Sequence, residues 1–296
     1  NKTDRDIAFA IDNKVGYFVV DNLDELEALN RIAGEKGVNQ KILLRVTPGI
    51  DPHTHKKIST GSVESKFGIA IETGQAFSAA KAVLNLKNVT LCGFHCHIGS
   101  QIFESEPFAT ALEIMLDFIK SVKEKLGFNT DMLNLGGGFG VRYTENDPKI
   151  SYTEKIREVA NSLNKQCAAL GLNTPKILTE PGRSLVADAG ITLYTVGSVK
   201  EITGYKNYVS VDGGMTDNPR YTLYESPYTV ILASNADKKC DFTADIAGRC
   251  CESGDLIGEG FKLPKPKRGD ILAVLTTGAY NYSMASNYNR IARPPV

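Results

Sequence analysis

Short apolar runs alternate with helical patterns over the first part of the chain, and this alternation constrains the fold more than any other feature. Between the runs, apolar residues recur at spacings of three and four, the period of an amphipathic helix. Strands that are apolar on both faces are typical of parallel sheets covered by helices. The predicted strands are Tyr17–Val20, Ile42–Val46, Val89–Phe94, Met132–Leu135 and Ile177–Thr179. The clearest helical stripe contains Phe108, Leu112, Met115, Ile119, Val122 and Leu126.

Five parallel strands are compatible with an open doubly wound sheet or with part of a (β/α)8 barrel. In a barrel the loops after all the strands carry the chemistry, whereas a doubly wound sheet concentrates it at one switch point. Polar groups follow the strands at Arg45, at His95 and His97, at Gly136–Gly138, and at Glu180 and Arg183. We therefore predict a TIM-type barrel over residues 1–190. Five strands cannot close such a barrel, which implies that its first three βα units are absent from this sequence.

The pattern changes after about residue 190. Short apolar runs follow one another there, separated by Gly, Asp, Asn and Pro, and helical periodicity is scarce. We predict a β-rich C-terminal domain over residues 191–296. Its predicted strands are Leu193–Val199, Tyr208–Val211, Val230–Ala233, Phe242–Ile246 and Ile271–Leu275.

Composition excludes several classes of partner. The 34 basic residues balance the 34 acidic ones, which gives no overall field favouring nucleic acid or an anionic membrane. No apolar run approaches the ~20 residues of a membrane span. The polar N-terminus lacks the core of a signal peptide. Six dispersed cysteines are typical of free thiols in a reducing compartment, and we expect a cytoplasmic protein.

Two short motifs follow predicted strands and carry chemistry. Three consecutive glycines, Gly136–Gly138, allow backbone N–H groups to converge on an anion, although a bare turn would have the same composition. Glu180 and Arg183 end the last predicted strand and could form only a surface ion pair. Alternatively, Glu180 holds a heterocycle nitrogen protonated and Arg183 receives a carboxylate.

Histidines and cysteines suggest two further kinds of site. His95 and His97 are predicted to lie on a strand, whose period of two sends both imidazoles to one face, as in His-x-His metal hydrolases. With only four histidines and none after His97, we predict no metal site. His53 and His55 are compatible with a solvated loop. Cys250 and Cys251 precede Glu252 and Asp255; they are either buried free thiols or include a proton donor.

The ordered set of motifs resembles the barrel-fold pyridoxal-phosphate-dependent amino-acid decarboxylases, and among them the diaminopimelate decarboxylases. No single motif is decisive, but the series extends from near the first residue to about residue 290. It comprises Arg45–Gly49, Ser59–Gly61, Ser65–Gly68, Gly93–Gln101, Gly136–Gly140, Glu180–Arg183, Asp212–Met215, Pro219-Arg220, Leu223-Tyr224, Cys251–Asp255 and Gly278–Tyr280.

This resemblance implies a carboxy-lyase that converts meso-2,6-diaminopimelate to L-lysine and carbon dioxide, the last step of lysine biosynthesis, in a homodimer with shared active sites. Pyridoxal 5'-phosphate is the implied cofactor. Implied cofactor contacts are His97, Ser100, Gly136, Gly137, Gly138, Glu180, Gly182, Arg183 and Tyr280. Implied substrate contacts are Arg183, Arg220, Tyr224, Glu252 and Tyr280. The implied catalytic groups are His97, which stacks on the ring, Glu180, which pairs with the ring nitrogen, and Cys251, which protonates the carbanion from the partner subunit.

The sequence departs from the family pattern in two respects. One is that it stops soon after Tyr288-Asn289, where the family continues with a short tail. The Tyr-x-x-Lys-Ala-Asn-type stretch that carries the family's Schiff-base lysine is not found here, and we expect this chain alone to be inactive. Lys41 and Lys66 lie in a different context. A related arginine or carboxynorspermidine decarboxylase is the nearest alternative, and a catalytically dead homologue that acts as a binding protein is another.

Overall fold

The chain divides into two compact units. The computed structural model describes residues 1–50 and 63–296. The first unit comprises Asn1–Phe139 and Ser151–Pro181, and the second comprises Gly140–Ile150 and Gly182–Val296. We predicted the boundary at residue 190 from the change in periodicity. Val141, Tyr143 and Ala187 are instead buried in the core of the second unit, which explains why it includes an earlier loop and begins earlier.

The first unit is built from βα repeats. The chain order is α1 (Asp4–Asp12), β1 (Phe18–Val20), α2 (Leu23–Glu35), β2 (Gln40–Thr47), β3 (Ile69–Ala70), α3 (Gln75–Val83), β4 (Val89–His95), α4 (Glu106–Leu126), β5 (Met132–Asn134), α5 (Tyr152–Leu170) and β6 (Lys176–Leu178). Among the described residues of this unit all strand pairs are parallel, in the spatial order β1, β2, β4, β5, β6, and β3 pairs with the end of β2.

Strand order distinguishes the two predicted sheet types. In these strands spatial order follows chain order without reversal, as in a barrel, whereas a doubly wound sheet reverses direction at its switch point. The predicted fold class is therefore confirmed. The α4 stripe is also confirmed, because Phe108, Leu112 and Met115 are all buried. Strand β3 was missed because two residues leave no periodicity to detect.

The second unit is a mixed six-stranded sheet with short helices. Its elements are α6 (Arg183–Val186), β7 (Thr192–Ile202), β8 (Lys206–Val211), α7 (Arg220–Tyr224), β9 (Val230–Leu232), β10 (Phe242–Ala247), β11 (Leu256–Leu263) and β12 (Ile271–Val274). The spatial order is β11, β10, β8, β7, β12, β9, and only β8 and β10 run parallel. We did not predict β11, whose Gly258 and Gly260 interrupt the apolar pattern.

Within the described part of the chain, no helix combines the length and apolar character needed to cross a membrane.

Gly93 on β4 has no room for a side chain, because the backbone of β5 lies directly against it. A Cβ added to Gly93 would lie 1.8 Å from the carbonyl oxygen of Met132, its register partner on β5. We expect Gly93→Ala to lower the free energy of unfolding by about 3 kcal/mol, because either β4 or β5 must shift. Urea denaturation of Gly93→Ala and of Gly16→Ala, whose added Cβ would meet nothing within 4 Å, measures the difference. Equal losses in the two variants would contradict this account.

Candidate active site

The three-glycine turn after β5 packs against the chain that follows β4. Gly136 has φ +70°, and an added Cβ would lie 2.7 Å from Nδ1 of His97. Gly138 has φ +103°, and its Cβ would lie 2.4 Å from the carbonyl oxygen of Gly99, next to Ser100. Only glycine accommodates both the left-handed backbone and these approaches. The turn therefore brings its backbone directly against the loop that contains His97 and Ser100.

The same turn also approaches the end of β6. A Cβ on Gly137 would lie 2.3 Å from the carbonyl oxygen of Glu180. The backbone N–H of Glu180 donates to the carbonyl oxygen of Gly136 at 2.8 Å. The residues after β4, β5 and β6 thus meet at one end of the sheet, as expected for the active-site face of a barrel.

His97 is neutral in this environment. The backbone N–H of Gly137 donates to its Nδ1 at 3.3 Å, which places the imidazole proton on Nε2. Burial, and secondarily the positive charge of Arg45, lowers the pKa of His97 to about 4. An uncharged ring whose orientation is fixed by the glycine turn is suited to stacking on a flat heterocycle.

Glu180 is anionic and half-exposed. Its Oε1 accepts a hydrogen bond from Nδ2 of Asn134 at 2.8 Å and lies 3.3 Å from Nε2 of His95. The hydrogen bond from His95, and to a lesser degree that from Asn134, lowers the pKa of Glu180 to about 2 despite partial burial. With 51% of its side chain exposed, the carboxylate can accept a further hydrogen bond from a ligand.

The structure corrects our interpretation of the two histidines. Strand β4 ends at His95, and His97 lies beyond it. The two imidazoles consequently have different partners, Glu180 for His95 and Gly137 for His97. Among the described residues no cluster of three or more His, Cys, Asp or Glu side chains could hold a metal ion. His53, His55 and Ser59–Gly61 lie outside the described residues.

Arg183 lies buried in the second unit, among tyrosines. One terminal nitrogen donates to the hydroxyl of Tyr143 at 2.5 Å. Its guanidinium carbon lies 4.6 Å from the ring centroid of Tyr280. Tyr280 has φ +61°, an uncommon backbone conformation for a bulky residue, and its hydroxyl would lie 3.4 Å from a Cβ on Gly182. Three of the predicted site residues, Gly182, Arg183 and Tyr280, are therefore close together.

Arg220 lies within the same aromatic cluster. Its terminal nitrogens donate to the hydroxyl of Tyr228 at 2.8 Å and to Oγ of Ser226 at 3.1 Å. Its guanidinium carbon lies 4.6 Å from the ring centroid of Tyr143, which meets the Tyr228 ring edge-on at 5.3 Å. Both predicted substrate arginines thus contact Tyr143, which the sequence analysis did not single out.

Asp255 anchors the cysteine loop of the second unit. Its buried carboxylate accepts backbone hydrogen bonds from Met215 at 2.6 Å and from Cys250 at 2.8 Å. Cys251 and Glu252 lie exposed in the loop that Asp255 closes, and the hydroxyl of Tyr288 is 3.4 Å from Glu252. Tyr224 ends α7, which begins at Arg220. The six cysteines are all free thiols.

Sequence reasoning missed one residue of the cluster in the first unit and three of the cluster in the second. Asn134 gave a weak signal, because it ends a predicted strand directly before the glycine turn. Tyr143, Tyr228 and Asn281, whose Oδ1 accepts from the hydroxyl of Tyr228 at 3.2 Å, gave none, since buried tyrosines and amides are ordinary core and turn residues.

The chain belongs to the pyridoxal-dependent decarboxylases. Residues 1–187 match the family model described as "Pyridoxal-dependent decarboxylase, pyridoxal binding domain". The cofactor that we expected from the sequence is thereby confirmed.

Curated relatives place the chain among the diaminopimelate decarboxylases of that family, as the sequence predicted. It is 48% identical to the diaminopimelate decarboxylase of Bacillus methanolicus and 46% identical to that of Bacillus subtilis, each over all of this chain. The chain spans 68% and 67% of those two relatives, respectively.

Solved structures agree with this assignment. The diaminopimelate decarboxylase of M. jannaschii in complex with L-lysine has a TM-score of 0.91 at 37% identity, over 99% of this chain and 66% of that one. The Helicobacter pylori diaminopimelate decarboxylase complexed with L-lysine has a TM-score of 0.87 at 31% identity, over 98% of this chain and 69% of that one.

The depressed pKa of His97 predicts a pH dependence of stability. Between pH 4 and 6.5 the unfolded chain binds a proton at this position that the folded protein does not, and stability contributed by His97 must therefore fall as the pH falls through this window. Urea denaturation of wild type and of His97→Gln across the window measures the effect. We expect the wild type to lose more stability than the variant on acidification. Parallel losses would contradict a neutral buried His97.

Proposed function

We propose that this chain supplies cofactor- and substrate-binding groups of a cytoplasmic, homodimeric diaminopimelate decarboxylase that releases L-lysine and carbon dioxide from meso-diaminopimelate. The observation that carries the proposal is the Glu180 carboxylate, held anionic by His95 and Asn134. Such a carboxylate suits a cofactor whose ring nitrogen must stay protonated. The family to which the chain belongs uses that kind of cofactor.

The residues of the first unit fit pyridoxal phosphate. The Gly136–Gly138 turn carries no side chain that would exclude a phosphate. The N–H groups of the buried Gly136 and Gly137 donate to Asn134 and His97, so the partly exposed Gly138 would make the closest approach, with Ser100 as a neighbouring hydroxyl donor. When bound, the cofactor supplies a protonated ring that accepts the electron pair left when carbon dioxide departs. Glu180 would accept the hydrogen bond from the ring nitrogen, and its low pKa means that it does not compete for the proton.

His97 would bound one face of the ring. Because its pKa is about 4, the imidazole is uncharged at neutral pH and does not oppose the protonation of the ring. The hydrogen bond from Gly137 fixes the plane of the imidazole, and the same glycine turn would hold the phosphate. Ring stacking and phosphate binding would therefore depend on one segment of backbone.

The second unit would recognise the substrate. Arg183 and Arg220 would bind the carboxylate at the distal end of diaminopimelate, and Glu252 would bind the ammonium group there, with Tyr224 and Tyr280 as further contacts. Arginines together with a glutamate recognise an amino-acid end, whereas a diamine requires only acids. Cys251 would protonate the carbanion left by decarboxylation. Its exposure in the loop anchored by Asp255 is compatible with delivery to a partner subunit.

Replacing Glu180 by glutamine tests the central assignment. We expect Glu180→Gln, in the intact protein that carries this sequence, to lower kcat by about a hundredfold and to change KM by less than about threefold. The reason is that ring protonation stabilises the transition state and does not contribute to substrate binding. Steady-state kinetics with diaminopimelate measures both constants. The exposed Glu113→Gln on α4 is the matched control, and an unchanged kcat in Glu180→Gln would refute the role.

Mixing two inactive variants tests the shared site. Cys251→Ala and Glu180→Gln subunits of the intact enzyme should each be nearly inactive as homodimers. After exchange, activity should return to roughly a quarter of wild type, because half of the dimers are mixed and each mixed dimer has one intact site. Mass spectrometry reports whether subunits have exchanged. Exchange without recovery would show that both residues serve the site of the same chain.

A further inference from the structure

Arg220 is a buried cation whose hydrogen-bond partners are neutral. Arg220 is 5% exposed. Within residues 1–50 and 63–296, its guanidinium donates to the hydroxyls of Tyr228 and Ser226. No carboxylate in these residues lies within ion-pair distance of it. Two of its five N–H groups make these bonds. A buried guanidinium normally requires an anion to offset its desolvation. The arrangement orients the guanidinium but does not neutralise it. An anion from outside the chain can therefore pair with it.

The hydroxyl of Tyr228 remains uncharged. Burial raises the pKa of Tyr228 above its usual value, although the charge of Arg220 opposes this shift. Its hydroxyl accepts from Arg220 and donates to Oδ1 of Asn281 at 3.2 Å. A phenol used in this way holds the guanidinium in one orientation without neutralising it, which an aspartate or glutamate in its place could not do.

Tyr143 connects the two arginines. Its hydroxyl accepts a hydrogen bond from Arg183, and its ring centroid lies 4.6 Å from the guanidinium carbon of Arg220 and 5.8 Å from that of Arg183. The Tyr143 backbone is fixed in turn, since its carbonyl oxygen accepts from Oγ1 of Thr229 at 2.8 Å. Two like charges near one ring repel each other, and a carboxylate bound to both removes that repulsion.

We propose that Tyr143 and Tyr228 are positioning residues that orient Arg183 and Arg220 for the distal carboxylate of the substrate, and thereby set the preference for an amino-acid end over an end without a carboxylate. This inference rests on the proposed function, which assigns the two arginines to substrate. It adds that the hydroxyl groups of Tyr143 and Tyr228, through their hydrogen bonds to the two guanidinium groups, determine how strongly the arginines discriminate.

Lysine provides a binding probe that is independent of turnover. Decarboxylation at one end of diaminopimelate leaves the carboxylate of the other end in lysine. Lysine methyl ester has an uncharged ester, with an added methyl group, in place of that carboxylate, and the methyl group affects wild type and variants alike. The ratio of the inhibition constant of the ester to that of lysine therefore measures recognition of the carboxylate. It is insensitive to a change that weakens both ligands alike.

The experiment uses Tyr143→Phe and Tyr228→Phe in the intact, cofactor-loaded enzyme, each of which removes one hydroxyl and keeps the ring. We expect the ratio to fall about tenfold in each variant, with KM for diaminopimelate rising about tenfold and kcat changing less than about threefold, as for loss of one hydrogen bond to a charged group. Tyr205→Phe, on a residue that is 90% exposed, is the control.

Three results separate the possibilities. A wild-type ratio in both variants would overturn the positioning role. This outcome includes the case in which lysine and its ester are weakened equally. If one variant fails to fold, the other still decides, because each hydroxyl holds a different arginine. A wild-type enzyme that neither converts diaminopimelate nor binds lysine would instead refute the proposed function before any variant is compared.

Discussion

The register of three parallel strands determines where the chemistry of the first unit lies. His95 on β4 pairs with Asn134 on β5, and Asn134 pairs with Leu178 on β6. Glu180 follows the end of β6 by two residues, and its carboxylate reaches Asn134 and His95. The pairing therefore places an imidazole, an amide and a carboxylate side by side at one end of the sheet. A shift of one residue in either pair would turn one of these groups to the opposite face.

The glycines at that end of the sheet are a consequence of this register. With the strand ends held at hydrogen-bonding distance, the loops that leave them must pass within backbone contact of one another. Gly136 and Gly138 meet this requirement at positive φ, where any Cβ would strike the His97 loop. The glycine motif that first suggested an anion site is thus also a packing requirement, and the two explanations do not compete.

Much of the fold was predictable because it depends on periodicity. Strand β4 and the stripe on α4 have enough residues to establish a period, whereas the two residues of β3 do not, and the glycines of β11 interrupt it. The domain boundary was less predictable, since the change in pattern near residue 190 follows the first residues that pack into the second core. At the candidate site, charged and glycine-rich motifs were visible in the sequence. Tyr143 was not, because nothing in a sequence distinguishes a tyrosine that holds an arginine from one that fills a core.

Each unit contains a charged side chain whose hydrogen-bond partners orient it and leave it charged. In the first unit, Asn134 and His95 direct the carboxylate of Glu180 while its pKa stays near 2. In the second, Tyr228 and Ser226 direct the guanidinium of Arg220. For Arg220 this arrangement reduces the stability of the folded chain, because neutral hydroxyls offset the desolvation of a buried cation less fully than a carboxylate would. A bound ligand that carries a negative charge would offset this loss of stability. The burial of Arg220 among tyrosines is therefore better explained by ligand binding than by folding.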